Sequence, residues 1–146
     1  MATTPRRIGA IVLAAGAGSR FGGGKLAARI DGRPVLQHVL DRLAEAGIDD
    51  PVVVTAEPMT TDIEWRAARP VTNPDPARGL ASSLGIGWDA AMDVPEPPAA
   101  VLVALGDQPL VRGDVLRLLM NAPLDPGRPV VAPHYARSWA RNPVRL

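Results

Sequence analysis

Two stretches of the chain carry residue types suited to chemistry. The first is Leu13-Ala14-Ala15-Gly16-Ala17-Gly18-Ser19-Arg20-Phe21-Gly22-Gly23-Gly24-Lys25. It offers open backbone amides, one hydroxyl and two cations directly after an apolar run, a combination suited to a polyanion such as a triphosphate. The second is Gly106-Asp107-Gln108-Pro109, a carboxylate in a tight turn after another apolar run. Lys25 stands out because Arg supplies every other one of the 16 basic residues. A compact ammonium placed at the end of a glycine loop acts as a point charge, unlike the planar guanidinium used elsewhere.

Two familiar glycine-loop patterns do not fit. The phosphate-loop NTPase pattern needs glycine where Ser19 stands and Ser or Thr where Leu26 follows Lys25. The dinucleotide fingerprint needs a third small residue where Phe21 stands, and no suitable acid ends the second apolar run. A redox subunit holding NAD is therefore disfavoured.

The elements that must position these residues follow from hydrophobic pattern. Ile8 to Ala15 is a continuous apolar run, as in a strand buried on both faces of a parallel sheet. Pro34 suits the first turn of a helix on which Val35, Leu36, Val39, Leu40 and Leu43 share one face, and Gly47 ends it. Val52 to Thr55 is the next buried strand, so strand, helix and strand imply a right-handed crossover and a parallel pair. Between Met59 and Arg69 the pattern predicts one short helix carrying Ile63 and Trp65, then a brief strand at Val71-Thr72 ended by Asn73-Pro74.

Leu80, Leu84, Trp88 and Met92 recur at helical spacing, which predicts a helix with that stripe, Trp88 included, in the core. Gly79 precedes it, and Ser82 and Ser83 lie in its opening turn. Ala100 to Leu105 is a third long apolar strand, Asp114 is expected to cap a helix through Met120, and Val130 to Ala132 forms a last short strand. The whole reads as an open α/β sheet of the Rossmann type. In such a sheet ligands bind beyond the carboxyl ends of the strands, where both the Gly16 loop and Asp107 fall.

Composition bounds the function classes. With 146 residues, 47% of them hydrophobic, the chain suits one domain, 1–146, rather than two. A net charge of +1 and 3% aromatic residues argue against nucleic acid as a partner. No apolar run spans a bilayer, and Met1 to Arg7 has no apolar segment of a secretory signal behind it, so a cytoplasmic protein without membrane partners is expected. With no cysteine, any metal must sit on oxygen or histidine.

The motifs together resemble the MobA-like nucleotidyltransferase superfamily. Its signature is an apolar strand, Leu-Ala-Ala-Gly, a short gap, Ser-Arg, a bulky apolar residue, Gly and then Lys, here Leu13 through Lys25. Asn73-Pro74, Gly79, Ser82-Ser83-Leu84 and Gly106-Asp107-Gln108-Pro109 follow in the family's order and look most like its molybdenum cofactor cytidylyltransferase branch. The resemblance implies a Rossmann-like, three-layer α/β fold with an open, mostly parallel sheet, the nucleotide-diphospho-sugar transferase type.

It further implies that Leu13, Ala14, Ala15 and Gly16 line the base and ribose, and that Gly18, Ser19, Arg20 and Lys25 hold the triphosphate. Asn73, Gly79, Ser82 and Ser83 complete the nucleotide site, and Asp107 binds Mg²⁺, the one cofactor implied. Arg20, Lys25 and Asp107 are the catalytic set. Attack on an α-phosphoryl group asks for in-line positioning and charge neutralisation rather than a covalent nucleophile, which Arg, Lys and Mg²⁺ can supply.

Plainer readings stand beside these. Asp107 before proline is also a turn residue, Arg20 could pair at the surface with Asp31 or Asp41, and Asn73, Ser82 and Ser83 could be turn and helix-start residues alone. His38 and His134 have no acid or second histidine at ligand spacing and read as structural or solvated; Trp139 is the one tryptophan suited to stacking.

Relatives usually continue through a further helix and an acidic element, so the chain is expected to lack the family's C-terminal elements. Arg141-Asn142-Pro143-Val144 resembles the start of an acceptor motif, with Arg in place of glycine. The implied reaction moves a nucleoside monophosphate, CMP from CTP in preference to GTP, onto a phosphate of a small acceptor such as molybdopterin and releases pyrophosphate, with a molybdoenzyme as a further partner. The CTP preference rests on Ala15 following Ala14 where guanylyltransferase relatives tend to carry Gly-Gly. The alternatives are a sugar- or polyol-phosphate cytidylyltransferase and a catalytically inactive nucleotide-binding regulatory module.

Overall fold

The computed structural model describes residues 6–16, 26–59 and 62–133. The first apolar run forms β1 (Ile8–Ala14), followed after the glycine loop by a small hairpin of β2 (Arg29–Ile30) and β3 (Arg33–Pro34). Asp31 and Gly32 at its turn have φ of 50° and 78°, the left-handed pair that a tight two-residue hairpin turn requires. Then come α1 (Val35–Glu45), β4 (Val52–Thr55), β5 (Arg69–Thr72), a short 3₁₀ turn at Pro76–Arg78, α2 (Leu80–Met92), β6 (Ala100–Leu105) and α3 (Gly113–Met120).

The main sheet has the order β5-β4-β1-β6 with every pair parallel. The alternation of β1 divides the core in two. Ala10, Val12 and Ala14, with Val53, meet Leu36, Val39, Leu40 and Leu43 of α1 and Leu116 of α3. Ile11, Leu13, Val52 and Val54 face α2 on the other side. The result is three layers, helix, sheet and helix, as expected for crossovers that wind in both directions from a central strand.

Four local expectations need correction. Residues 62–68 form no helix: Arg66 adopts φ 51°, which interrupts any helical run, and the segment is held to α1 by the buried Gln37. Gln37 Oε1 accepts from Glu64 N at 2.8 Å while its Nε2 donates to Asp41 Oδ1 at 3.1 Å, so a fully buried amide is satisfied by irregular backbone instead of a helix. Ile63 and Trp65 still pack against the α1 face of the core.

The apolar stripe of α2 reaches the core only in part: Leu84 and Met92 pack against it, partly buried. Ser83, Gly87 and Ala91 are the helix's buried residues, while Leu80 and Trp88 are 47% and 48% exposed. A Cβ added at Gly87 would lie 2.6 Å from Ile11 Cγ2 and 2.9 Å from Val54 Cγ2, so only the small-residue face lets the helix approach this closely. At α3, Asp114 lies inside the first turn rather than at the cap. It accepts from Arg112 Nη2 at 2.6 Å and Nε at 3.0 Å, with Arg112 in the capping position.

Val130 to Ala132 is not a strand. Pro129 and Pro133 deny amide donors at either end, and the run lies open beside β6, with Val130 59% exposed. Among the described residues the pairing nearby is an isolated bridge from Asp125 to Arg128. The brief strand expected at Val71-Thr72 is present and starts earlier, at Arg69.

Candidate functional site

The carboxyl ends of the four parallel strands stand in one row, with Ala14 level with Thr55, Thr55 with Thr72, and Leu13 with Leu105. From β1 the chain proceeds to β4 and β5 on one side, then returns to β6 on the other. The topological switch point, where an open sheet leaves a crevice for a ligand, therefore lies between β1 and β6. The Gly16 loop leaves from β1 and Asp107 follows β6, so the two stretches singled out by sequence flank the same crevice.

Gly106 makes that proximity possible. Its amide donates to Leu13 O at 2.9 Å, and a Cβ there would stand 3.0 Å from Ala14 Cβ and 3.3 Å from Leu36 Cδ1. Any larger residue would push the β6 turn off the end of β1. Asp107, the next residue, is exposed at the crevice mouth.

On the β1 side Leu13, Ala14 and Ala15 are buried and Gly16 is exposed. The side chains of the first three belong to the core, so what they present to a ligand is backbone. Gly18, Ser19, Arg20 and Lys25 lie outside the described residues. The structure shows how the loop's far end is anchored: Val35 N donates to Ala28 O at 2.8 Å and Leu36 N to Leu26 O at 3.3 Å. The first amides of α1 are thus spent on holding the returning chain. In dinucleotide and phosphate-loop folds these amides at the following helix are the ones that meet phosphate. Here the amides of Val35 and Leu36 are already taken by the returning chain.

The third part of the site is the junction from β5 to α2. Asn73 is 2% exposed; its backbone amide donates to Thr55 O at 2.7 Å, its Nδ2 to Ser82 Oγ and Ser83 Oγ at 2.9 Å each, and its Oδ1 accepts from Asp75 N at 2.9 Å. Ser83 is also buried, whereas Gly79, at φ 94°, is exposed and Ser82 half-buried. Glycine is needed at position 79 because the left-handed backbone there starts α2 directly from the 3₁₀ turn.

His38 is structural, as expected: its Nε2 lies 2.8 Å from Ile30 O, tying α1 to the hairpin. Asp41, the suggested partner of Arg20, pairs with Arg33 at 2.8 Å and Arg66 at 3.6 Å. Sequence reasoning missed Gly87, Gly106 and Gln37 as residues that shape the site's frame. The signals available were a glycine inside a helical pattern, a glycine at a strand end and a polar residue on an apolar helical face.

The family model for the MobA-like NTP transferase domain matches residues 10–144, covering all three parts of this crevice. The chain belongs to the MobA-like NTP transferase family. Among relatives, a bifunctional protein GlmU from Syntrophomonas wolfei is 30% identical over 118 residues, 80% of this chain and 26% of that protein. A probable molybdenum cofactor guanylyltransferase from Thermococcus gammatolerans is 29% identical over 132 residues, 88% of this chain and 63% of that protein. The crystal structure of Rv0371c from Mycobacterium tuberculosis superposes with a TM-score of 0.61 at 27% identity, covering 82% of this chain and 61% of that one. This MobA-like chain therefore spans less than two thirds of the length of these relatives. Its parallel, three-layer sheet is that of nucleotide-diphospho-sugar transferases. No helix among the described residues is long and apolar enough to cross a membrane.

Proposed function

We propose that this MobA-like chain is the nucleotide-gripping part of a cytoplasmic, Mg²⁺-dependent nucleotidyltransferase. The observation that carries the reading is the switch-point crevice, where the end of β1 with its glycine loop and the exposed Asp107 after β6 are brought together by Gly106. An acceptor phosphate oxygen attacks the α-phosphorus of a nucleoside triphosphate, the α–β bridging P–O bond breaks, and its electron pair leaves on pyrophosphate. The chain's part is to hold the triphosphate and the acceptor in line and to offset negative charge.

Backbone of Leu13 to Gly16, the exposed Gly79 and the half-buried Ser82 hold the nucleoside, and Gly18, Ser19, Arg20 and Lys25 hold the phosphates. Asp107 fits Mg²⁺: an exposed carboxylate at a strand end supplies one hard oxygen, and this ion takes one or two carboxylates with substrate phosphates and water. When bound there it would neutralise charge between the phosphates. The acceptor is a small phosphorylated molecule resembling molybdopterin, which would place the chain in molybdenum cofactor biosynthesis, with a molybdoenzyme downstream.

For the base we favour CTP, on Ala14-Ala15 at the end of β1. The relative named as a guanylyltransferase favours GTP, which is the second reading. Thermal melts with Mg²⁺ and CTP, GTP, ATP or NAD decide between them, because a ligand that binds only the folded chain raises its melting temperature. A rise with CTP that needs Mg²⁺ and is lost in Asp107→Ala and Lys25→Ala supports the proposal; a rise with NAD alone overturns it. Binding of nucleotide without pyrophosphate release in the presence of acceptor would identify an inactive regulatory module instead.

A further inference from the structure

The sequence pattern groups Asn73, Ser82 and Ser83 with the ligand contacts. Their burial and bonding divide them. Asn73 and Ser83 are 2% and 4% exposed, whereas Gly79 is exposed and Ser82 half-buried at the start of α2. A primary amide has two N–H donors, and both of Asn73's are used within the protein, one on each serine. Its oxygen is held by Asp75 N, which also fixes which way round the amide sits. Both donors are spent within the protein, and the side chain, with Oδ1 already bonded to Asp75 N, is buried away from a ligand in the crevice.

What Asn73 joins is informative. Its backbone amide extends the β5 to β4 ladder by one bond, to Thr55 O, and its side chain grips the first turn of α2. Ser82 passes the grip on, donating from Oγ to Gly79 O at 2.9 Å. One turn further along, Gly87 seats the same helix on Ile11 and Val54 with no space for a Cβ. The helix is therefore fixed at two points, axially by Asn73 and in depth by Gly87. Its opening turn stands at the carboxyl end of the sheet, the side on which the Gly16 loop and Asp107 lie.

We infer that Asn73, with Ser83, is a positioning residue: it never touches the nucleotide but sets the height of Gly79 and Ser82 against the strand ends, and so tunes affinity equally for every base. The inference rests on the nucleotidyltransferase reading for its ligand, while the latch itself can be observed without one. A residue that contacted a base would discriminate among bases. A residue that sets the frame cannot.

The test uses the full chain with Asn73→Ala, Asn73→Asp and Ser83→Ala. Hydrogen exchange without ligand reads the latch; calorimetric titration with Mg²⁺ and CTP, GTP, UTP and ATP reads its consequence at a temperature where every variant is folded. Loss of both serine bonds in Asn73→Ala is expected to speed exchange in the first turn of α2 and to weaken every nucleotide that binds the parent by one common factor, on the order of tenfold. Asn73→Asp keeps the acceptor for Asp75 N and cannot donate to either serine, but Ser83 Oγ can turn to donate to the carboxylate while Ser82 Oγ is held on Gly79 O, so a loss smaller than in Asn73→Ala is expected. Ser83→Ala, which removes one bond, gives a smaller loss of the same kind if Asn73→Ala does not fold. Unchanged exchange in that turn overturns the inference. So does a loss confined to one base, or a lower melting temperature with unchanged affinity. If the parent chain binds no nucleotide, the proposed function fails, and the exchange data alone still decide whether Asn73 holds the helix.

Discussion

The two sides of β1 are built from the same kinds of residue and behave differently. On one side, Val52, Val53 and Val54 of β4 are 1%, 0% and 0% exposed, between β1 and β5 and with helices or packed chain on both faces. On the other, Val101, Leu102 and Val103 of β6 are only half-buried. β6 pairs with β1 along one edge; among the described residues its other edge opens onto an apolar groove of about 380 Å³. Leu84 and Trp88 of α2, Val115 and Leu119 of α3 and the run Pro129–Pro133 line that groove. Apolar character makes a strand, but burial needs a neighbour on each edge and each face.

The sharpest way to break the β4 side is Val53→Ala, a fully buried truncation. It should cost about 2 to 3 kcal/mol from lost transfer energy plus the cavity left behind, and chemical denaturation reads it directly. The matched change Val103→Ala on β6 should cost less than about half of that, because its methyl groups are already partly hydrated. Equal losses would mean that β6 is as well covered in solution as β4.

Gly87→Ala probes the close approach of α2. The added methyl gains about 1 kcal/mol of helix propensity but must displace Ile11 and Val54, which costs about 1 to 3 kcal/mol, so a net loss is expected. A higher midpoint in the variant would show that α2 rides farther from the sheet. On the open side, Trp88→Gln should cost about 1 to 2 kcal/mol, well short of a fully buried indole, since nearly half of that residue already meets solvent. A larger loss there would show that the groove is covered.

The smallest effect concerns Asp114. The hydrogen bond from Arg112 is the main cause that holds its carboxyl below the ordinary value of 3.8; desolvation opposes it, and the charge of Arg112 adds a smaller lowering. A depressed pKa stabilises the fold above the unfolded value and the contribution disappears as pH falls through the folded one. Asp114→Asn should therefore lower the melting temperature slightly at neutral pH, by much less than Val53→Ala, and leave it unchanged in strong acid. Both partners are exposed, so the effect is small and falls with added salt.

Much of the fold was legible because strand and helix patterns are local. β1, α1, β4 and β6 sit where runs of Val, Ile, Leu and Ala, bounded by glycine and proline, put them, and the parallel pairing of β1 with β4 follows from the helix between them. The crevice was legible for the same reason, since both chemical stretches directly follow apolar runs. What failed was inference across space. The stripe of Leu80, Leu84, Trp88 and Met92 has helical spacing, yet only Leu84 and Met92 reach the core, and the face with Ser83, Gly87 and Ala91 is the one buried on the sheet because it allows closer packing. Residues 62–68 gave only a weak helical signal in Ile63 and Trp65, and a buried glutamine on another element holds them as irregular chain.

By itself the sequence determined which segments become strands and helices, where the glycine loop and Asp107 fall relative to strand ends, and the family to which those motifs belong, because each depends on neighbours a few residues apart. Tertiary structure alone decided which face of α2 is buried, that the first amides of α1 hold Leu26 and Ala28, and that both side-chain donors of Asn73 are spent inside the protein. Those outcomes depend on which groups meet across the fold, where one missing methyl group or one buried amide outweighs a periodic pattern.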